Sequence, residues 1–191
     1  MRKNLWPGLA KGTAGFLFGL TLWLALSSPY ARVLAALSEP LIRIGERPAV
    51  TRLIPKGTEL TIERSDFPPA SPRPGLALME LTFNIILLTT LFAVSRRPLT
   101  DRNILGLFVA GMLLVLVHIA AVVANVHSIY ALRLGAWSER NYGPVARNFW
   151  GGLAHFYSVI GVFGAAFMLW WLLRPPSPAA VAEPTVRRRR S

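Results

Sequence analysis

Long apolar blocks, with the charged residues gathered between them, run the length of this sequence. A helix crosses the roughly 30 Å hydrocarbon core of a bilayer with about 20 apolar residues. Blocks at about 12–29, 76–94, 104–124 and 149–173 reach or approach that length. Inside hydrocarbon every backbone N–H and C=O needs an internal partner, which leaves helices and closed barrels as the spanning structures. Continuous apolar runs without strict alternation select helices. The expectation is an all-α integral membrane protein, a bundle of four transmembrane helices forming one membrane domain over residues 1–173.

Charge patterning orients the bundle. Lysine and arginine outnumber aspartate and glutamate 21 to 9, a net charge of +12 that in a soluble chain would suggest nucleic acid. In a membrane protein the positive-inside tendency accounts for it, and no nucleic-acid partner is expected. Arg2, Lys3 and Lys11, then Arg96, Arg97 and Arg102, then Arg174 and Arg187–Arg190 fall on one side of the expected spans. Both termini are therefore expected in the cytoplasm, with the chain in a plasma (inner) membrane. The first block also has the form of a signal peptide, a basic start before a short apolar run. The apolar pattern resumes over Ala31–Leu37, which reads as an anchor entering an outer-surface helix.

Residues 30–75 form the expected extracytoplasmic loop between the first and second spans. Val50–Ile54 is apolar and β-branched, Glu59–Glu63 alternates polar and apolar, and Pro55-Lys56-Gly57 between them is a turn signal. A small β-hairpin follows, one that must lean on the helices or on a partner, since an isolated hairpin is marginal in water. Residues 174–191, rich in proline and alanine, are expected to form a disordered basic tail, with Arg187, Arg188, Arg189 and Arg190 resting on anionic lipid.

Ionisable and amide side chains inside spans are costly and mark candidate sites. Glu80 and Asn84 in the second block share a helix face, as do His118 and Asn125 in the third; His127 lies just beyond, and His155 opens the fourth. With the orientation above, all fall in the outer half of the bilayer, beneath the hairpin. A partner or ligand contact, a proton-sensitive contact and a two-histidine-one-carboxylate metal site are the functional readings of this cluster. Interhelical hydrogen bonding is the structural one, and it carries more weight. Gly106/Ala110 and Gly161/Ala165 supply small-residue surfaces for close helix packing. No catalytic residue, metal or cofactor is assigned.

The order of features resembles the exosortase/archaeosortase group of membrane-embedded sorting proteases over roughly residues 30–170. Asn125-Val126-His127-Ser128-Ile129 looks like that group's Asn-x-x-Arg-like stretch, with His127 or Ser128 near where arginine is expected. His155-Phe156-Tyr157-Ser158-Val159-Ile160-Gly161 looks like its final-helix motif. The group's catalytic cysteine would fall around Leu78-Met79-Glu80-Leu81, and the chain has no cysteine at all. The thiolate nucleophile of that chemistry is missing, and Ser128 beside His127 is a poor substitute, since adjacent helical residues diverge by about 100°. The resemblance implies a degenerate relative or an associated membrane protein: a non-catalytic accessory or partner subunit of an exosortase-type protein-sorting or surface-export system. The alternative is an assembly or structural subunit of an unrelated membrane complex. Expected partners are the lipid bilayer and another membrane protein (a sorting protease under the first reading) or further copies of the chain.

Overall fold

The computed structural model describes residues 6–46, 48–71, 73–95 and 98–174. Arg187–Arg190 and the rest of the expected tail beyond Arg174 lie outside the described residues. The order is α1 (Trp6–Arg43), β1 (Thr51–Lys56), β2 (Glu59–Arg64), β3 (Gly75–Ala77), α2 (Leu78–Thr82), α3 (Asn84–Ala93), α4 (Asp101–Leu132), α5 (Ala136–Asn141), α6 (Pro144–Phe156) and α7 (Val162–Leu173). A π-helical turn, Tyr157–Gly161, joins α6 to α7 in one continuous segment. The chain is mostly helical, and three segments are long and apolar enough to cross a membrane: α1, α4 and Pro144–Leu173. The fourth apolar segment, Leu78–Ala93, is shorter. It rises roughly 24 Å at about 1.5 Å per residue, against a core of roughly 30 Å.

Element boundaries differ from the sequence expectation in instructive ways. The first helix does not stop near residue 29: α1 continues through Pro29 and Pro40 to Arg43. An interior proline costs about 3 kcal/mol in an isolated helix. Here Ala31, Leu34, Ala35 and Ile42, beyond Pro29, are buried, so tertiary packing holds the helix together. The second apolar block does not begin as a helix: Gly75–Ala77 forms a strand, and a tighter, 3₁₀-like turn at Phe83 (ψ −14°) lies between α2 and α3. The third helix runs on to Leu132, and the short helix α5 follows where no element was expected.

The lone hairpin becomes a three-stranded antiparallel sheet in the order β1-β2-β3. Lys56 pairs with Glu59, so the turn is Gly57-Thr58, and Pro55 and Lys56 belong to the strand. Gly57 has φ of +62°, as the first central position of a tight hairpin turn demands of glycine. Along edge strand β1 the Thr51 and Leu53 N–H groups face away from β2, donating to Glu46 and Glu39. Pro55 lies in the same phase, where a missing N–H costs the ladder nothing. Arg43 Nε donates to the Thr51 carbonyl at 2.6 Å and a terminal nitrogen of the same residue pairs with Glu39 at 2.8 Å. The last turns of α1 thereby close the sheet edge that would otherwise be open to pairing.

Two apolar cores stack along the bundle. One joins the end of α1, the inward sheet residues Leu53, Leu60 and Ile62, Leu78 and Leu81 of α2, and the far half of α4 from Ile119 to Tyr130. The other joins Leu88 and Phe92 of α3, Ala110 and Leu114 of α4, and Ala166 of α7. At the end of the bundle opposite the sheet, a Cβ on Gly12 would touch Val94, and one on Gly106 would lie 2.9 Å from the Leu173 carbonyl. The start of α1, the α3–α4 turn and the end of α7 therefore meet at that end.

The expected small-residue surface at Gly106/Ala110 is a contact surface, with Ala110 fully buried. Gly161 serves differently, since its missing Cβ makes room for the Tyr157 ring of the same helix. The tightest contact is elsewhere, where Gly15 and Gly19 of α1 lie against Ile86, Thr89, Thr90 and Ala93 of α3. A Cβ on Gly19 would land on Thr89 Oγ1 and within 3.1 Å of the Ile86 Cα, so the two backbones must separate to admit it. Gly19→Ala is expected to destabilise the protein by about 1–3 kcal/mol, the usual cost of overpacking. Gly111→Ala, at a site with open space around it, should change little. Unfolding of both variants in mild detergent checks the pair.

Candidate functional site

Four helical elements converge on a chain of hydrogen bonds between the two cores. Asn84 Nδ2 donates to the Val162 carbonyl at 2.9 Å, which leaves Asn84 Oδ1 as an acceptor. His118 Nε2 donates to that oxygen at 2.8 Å. The opposite ring nitrogen, Nδ1, accepts from Tyr30 Oη at 2.6 Å. The amide orientation thus sets the imidazole tautomer. Asn84 and His118 are fully buried, and the chain ties α1, α3, α4 and α7 together. Two more bonds brace the same level: Tyr157 Oη donates to the Leu81 carbonyl at 2.9 Å, and Trp23 Nε1 donates to Thr82 Oγ1 at 3.2 Å.

The other expected site residues do not join this network. Glu80 is exposed on α2, while Asn84 is fully buried. Asn125 is half-buried and donates to the Ala121 carbonyl of its own helix. His155 is exposed on α6. His127 stacks on Trp150 with ring centroids 4.4 Å apart and meets Tyr142 Oη at 3.4 Å, at the sheet end of the bundle. Among the described residues, no three histidine, aspartate or glutamate side chains gather to hold a metal ion.

Loss of a single membrane hydrogen bond costs on the order of 0.6 kcal/mol and up to about 2. Tyr30→Phe is expected to fall in that range. Asn84→Ala should cost more, because it strips partners from both His118 and the Val162 carbonyl. Equilibrium unfolding of the two variants in mixed micelles measures the order.

The second concentration of polar chemistry is the head, built from the sheet, α5 and the sheet-side ends of α1 and α4. Its centre is Arg64, a residue the sequence reading did not single out. The alternation of β2 puts Leu60 and Ile62 on the buried face, and Arg64 follows in the same phase. Its guanidinium pairs with Glu46 at 3.0 Å and, through two nitrogens, with Asp66 at 3.0 and 2.9 Å. It also lies over the rings of Trp137, Tyr130 and Phe67 at 4.6, 4.9 and 5.3 Å. Glu46 is fully engaged as well: it accepts from the Val50 and Thr51 N–H groups and, in a short bond, from Thr51 Oγ1. Thr51 Oγ1 in turn meets Tyr130 Oη at 2.6 Å.

Burial opposes the Arg64 charge, but the hydrogen-bonded Asp66 and the nearby Glu46 outweigh it and raise the guanidinium pKa. The same hydrogen bonds hold the Asp66 carboxyl below its ordinary value. Burial pushes the Tyr142 phenol up.

Arg64 and Glu46 side chains are each only 10% exposed. Removing one partner of such a pair strands a charge, at a cost of about 3–5 kcal/mol. Arg64→Ala is expected to lose that much. Arg64→Lys should recover only part, because an ammonium cannot bond two carboxylates while stacked on the rings. Asp66 adds an acid dependence. Its folded pKa is depressed, so its contribution is present above the unfolded value near 3.8 and fades as pH falls through the folded one. Asp66→Asn should abolish that component, as denaturation midpoints between pH 5 and 2 would report.

Two clefts flank Arg64. One, about 400 Å³, is lined by Arg43, Arg52, Arg73 and Glu63 beside a proline-rich rim. The other, about 470 Å³, is lined by Glu46, Asp66, His127, Trp137, Tyr142 and Trp150. Charge is unevenly divided: arginines outnumber the single carboxylate, Glu63, in the first cleft, and Glu46 and Asp66 line the second, with Arg64 between them. What fold and site together define is a helical chain of membrane-spanning character with a sheet-built polar head at one end. Comparison with protein-family models, curated proteins and solved structures finds no match to it.

Proposed function

We propose that this chain is a non-catalytic polytopic membrane protein, an accessory or partner subunit of an exosortase-type protein-sorting or surface-export system. In this reading Leu78–Ala93 is the fourth crossing, both termini are cytoplasmic, and the head stands on the extracytoplasmic face of the inner membrane. The basic residues Lys11, Arg102 and Arg174 belong to the end of the bundle opposite the sheet, where the positive-inside tendency wants them.

The observation that carries the reading is how the polar groups are employed. His118 has both ring nitrogens occupied by protein partners, Glu80 and His155 are exposed and apart from it, and cysteine is absent from the chain. The ionisable residues of the spans are committed to packing or left at the surface. The surface with shape and chemistry to recognise something is the head, and its acidic, aromatic cleft is the partner contact in this proposal. Aromatic side chains are the usual anchors of such contacts. The order of the Asn125–Ile129 and His155–Gly161 stretches supports the exosortase connection, and the missing cysteine makes the role an accompanying one.

Purification of the tagged chain from its own membranes in mild detergent, with mass spectrometry of co-purifying proteins, tests this. A cysteine-bearing membrane protease is expected in stoichiometric amount, and Tyr142→Ala with Trp150→Ala should release it. Recovery of a lone homo-oligomer, or of an unrelated complex, overturns the assignment; the second outcome favours an assembly subunit of that complex.

A further inference from the structure

The cleft on the other side of Arg64 carries a second, independent proposal. Of the charged side chains that line it, Arg43, Arg52, Arg64 and Arg73 are cationic and Glu63 alone is anionic. The carboxylates that neutralise Arg64 face the opposite cleft, so their charge is offset to one side of this one. Arg43 is paired with Glu39 and bonded to the Thr51 carbonyl, yet donors remain. Arg52 is exposed on β1 and makes no ion pair among the described residues, and Arg73 meets Glu63 through a single terminal nitrogen. The Ser65 and Ser71 hydroxyls complete a polar wall, and Phe67 and Leu134 an apolar one. Guanidinium groups arranged around a small volume match the oxygens of a phosphate, which they bind two at a time.

Depth selects the source of that phosphate. Tyr130, near the end of α4, and Leu134, just beyond it, line the cleft beside Arg43, the last residue of α1. Tyr130 stands about 9 Å along the helix axis past residue 124, where the apolar block ends. That places the cleft just above the headgroup layer, which is roughly 5–8 Å thick on each side, within reach of lipid phosphates for side chains as long as arginine. A cleft there meets lipid phosphate at far higher local concentration than any dissolved anion, and basic residues at this level attract anionic lipid.

We infer that this arginine cleft is a binding site for the phosphate headgroup of an anionic membrane lipid. The site is on the protein's own head and does not depend on the partner assignment. The full-length chain in mild detergent is titrated with dioleoyl phosphatidic acid, and bound lipid is counted by native mass spectrometry. The wild type should retain one lipid, and Arg52→Gln with Arg73→Gln should weaken retention at least tenfold. Both side chains are exposed, so thermal unfolding of the double variant should match the wild type. Arg133→Gln, outside the cleft, should bind as the wild type does. Undiminished retention by the double glutamine variant overturns the site. Full retention by Arg52→Lys with Arg73→Lys overturns it too, by reducing the effect to net charge. Glycerol 3-phosphate binding as tightly as the lipid, with the same arginine dependence, overturns the lipid source in favour of a soluble phosphate.

Discussion

The Arg64 guanidinium is the interaction on which the head depends. A charge so nearly removed from water is tolerable only when fully compensated, and here two carboxylates and three aromatic rings supply the compensation. Those groups come from four parts of the head: Glu46 from the segment after α1, Asp66 and Phe67 from the loop after β2, Tyr130 from α4 and Trp137 from α5. Satisfying one buried charge therefore fixes the relative positions of the sheet, the long helices and the short one. Glu46 and Thr51 extend the same logic into the backbone, so edge strand β1 is bound to the helical frame through its own N–H groups.

The membrane-depth half of the protein is held by different physics. Lipid offers no hydrophobic reward for helix association, so close backbone approach and interhelical hydrogen bonds do the work. Gly15 and Gly19 let α1 lie against α3, and the Tyr30–His118–Asn84–Val162 chain crosses the bundle at the level where the two cores meet. Head and bundle share α1 and α4, the two longest helices, each of which reaches well past the length a bilayer requires. The head's clefts are thus joined to the bundle through two continuous helices.

Part of the candidate site was legible in the residues. Asn84 and His118 stood out because amide and imidazole groups are rare and costly in apolar blocks, and they do meet. Glu80 was grouped with Asn84 by helical spacing, but it lies exposed where Asn84 is buried. Arg64 escaped notice although its signal was present: the alternation that makes Leu60 and Ile62 inward-facing extends to it, and an inward charge on a strand demands partners. Tyr30 gave no signal, because a tyrosine near a helix proline is ordinary until its hydroxyl is seen against a histidine 88 residues away.

By itself the sequence determined that apolar helices of spanning length dominate this chain, that a β-hairpin lies between the first two blocks, and that cysteine chemistry is absent. Those properties follow from composition, length and period, which are local. Only the tertiary structure decided that α1 would run through Pro29 and Pro40, that Gly75–Ala77 would add a third strand, and that the head charges would divide between two clefts. Each of these depends on contacts between residues far apart in the chain. The packing of α1 against the sheet and α4 outweighs a proline's local cost, and a strand partner or an ion pair exists only once the chain has folded to supply it.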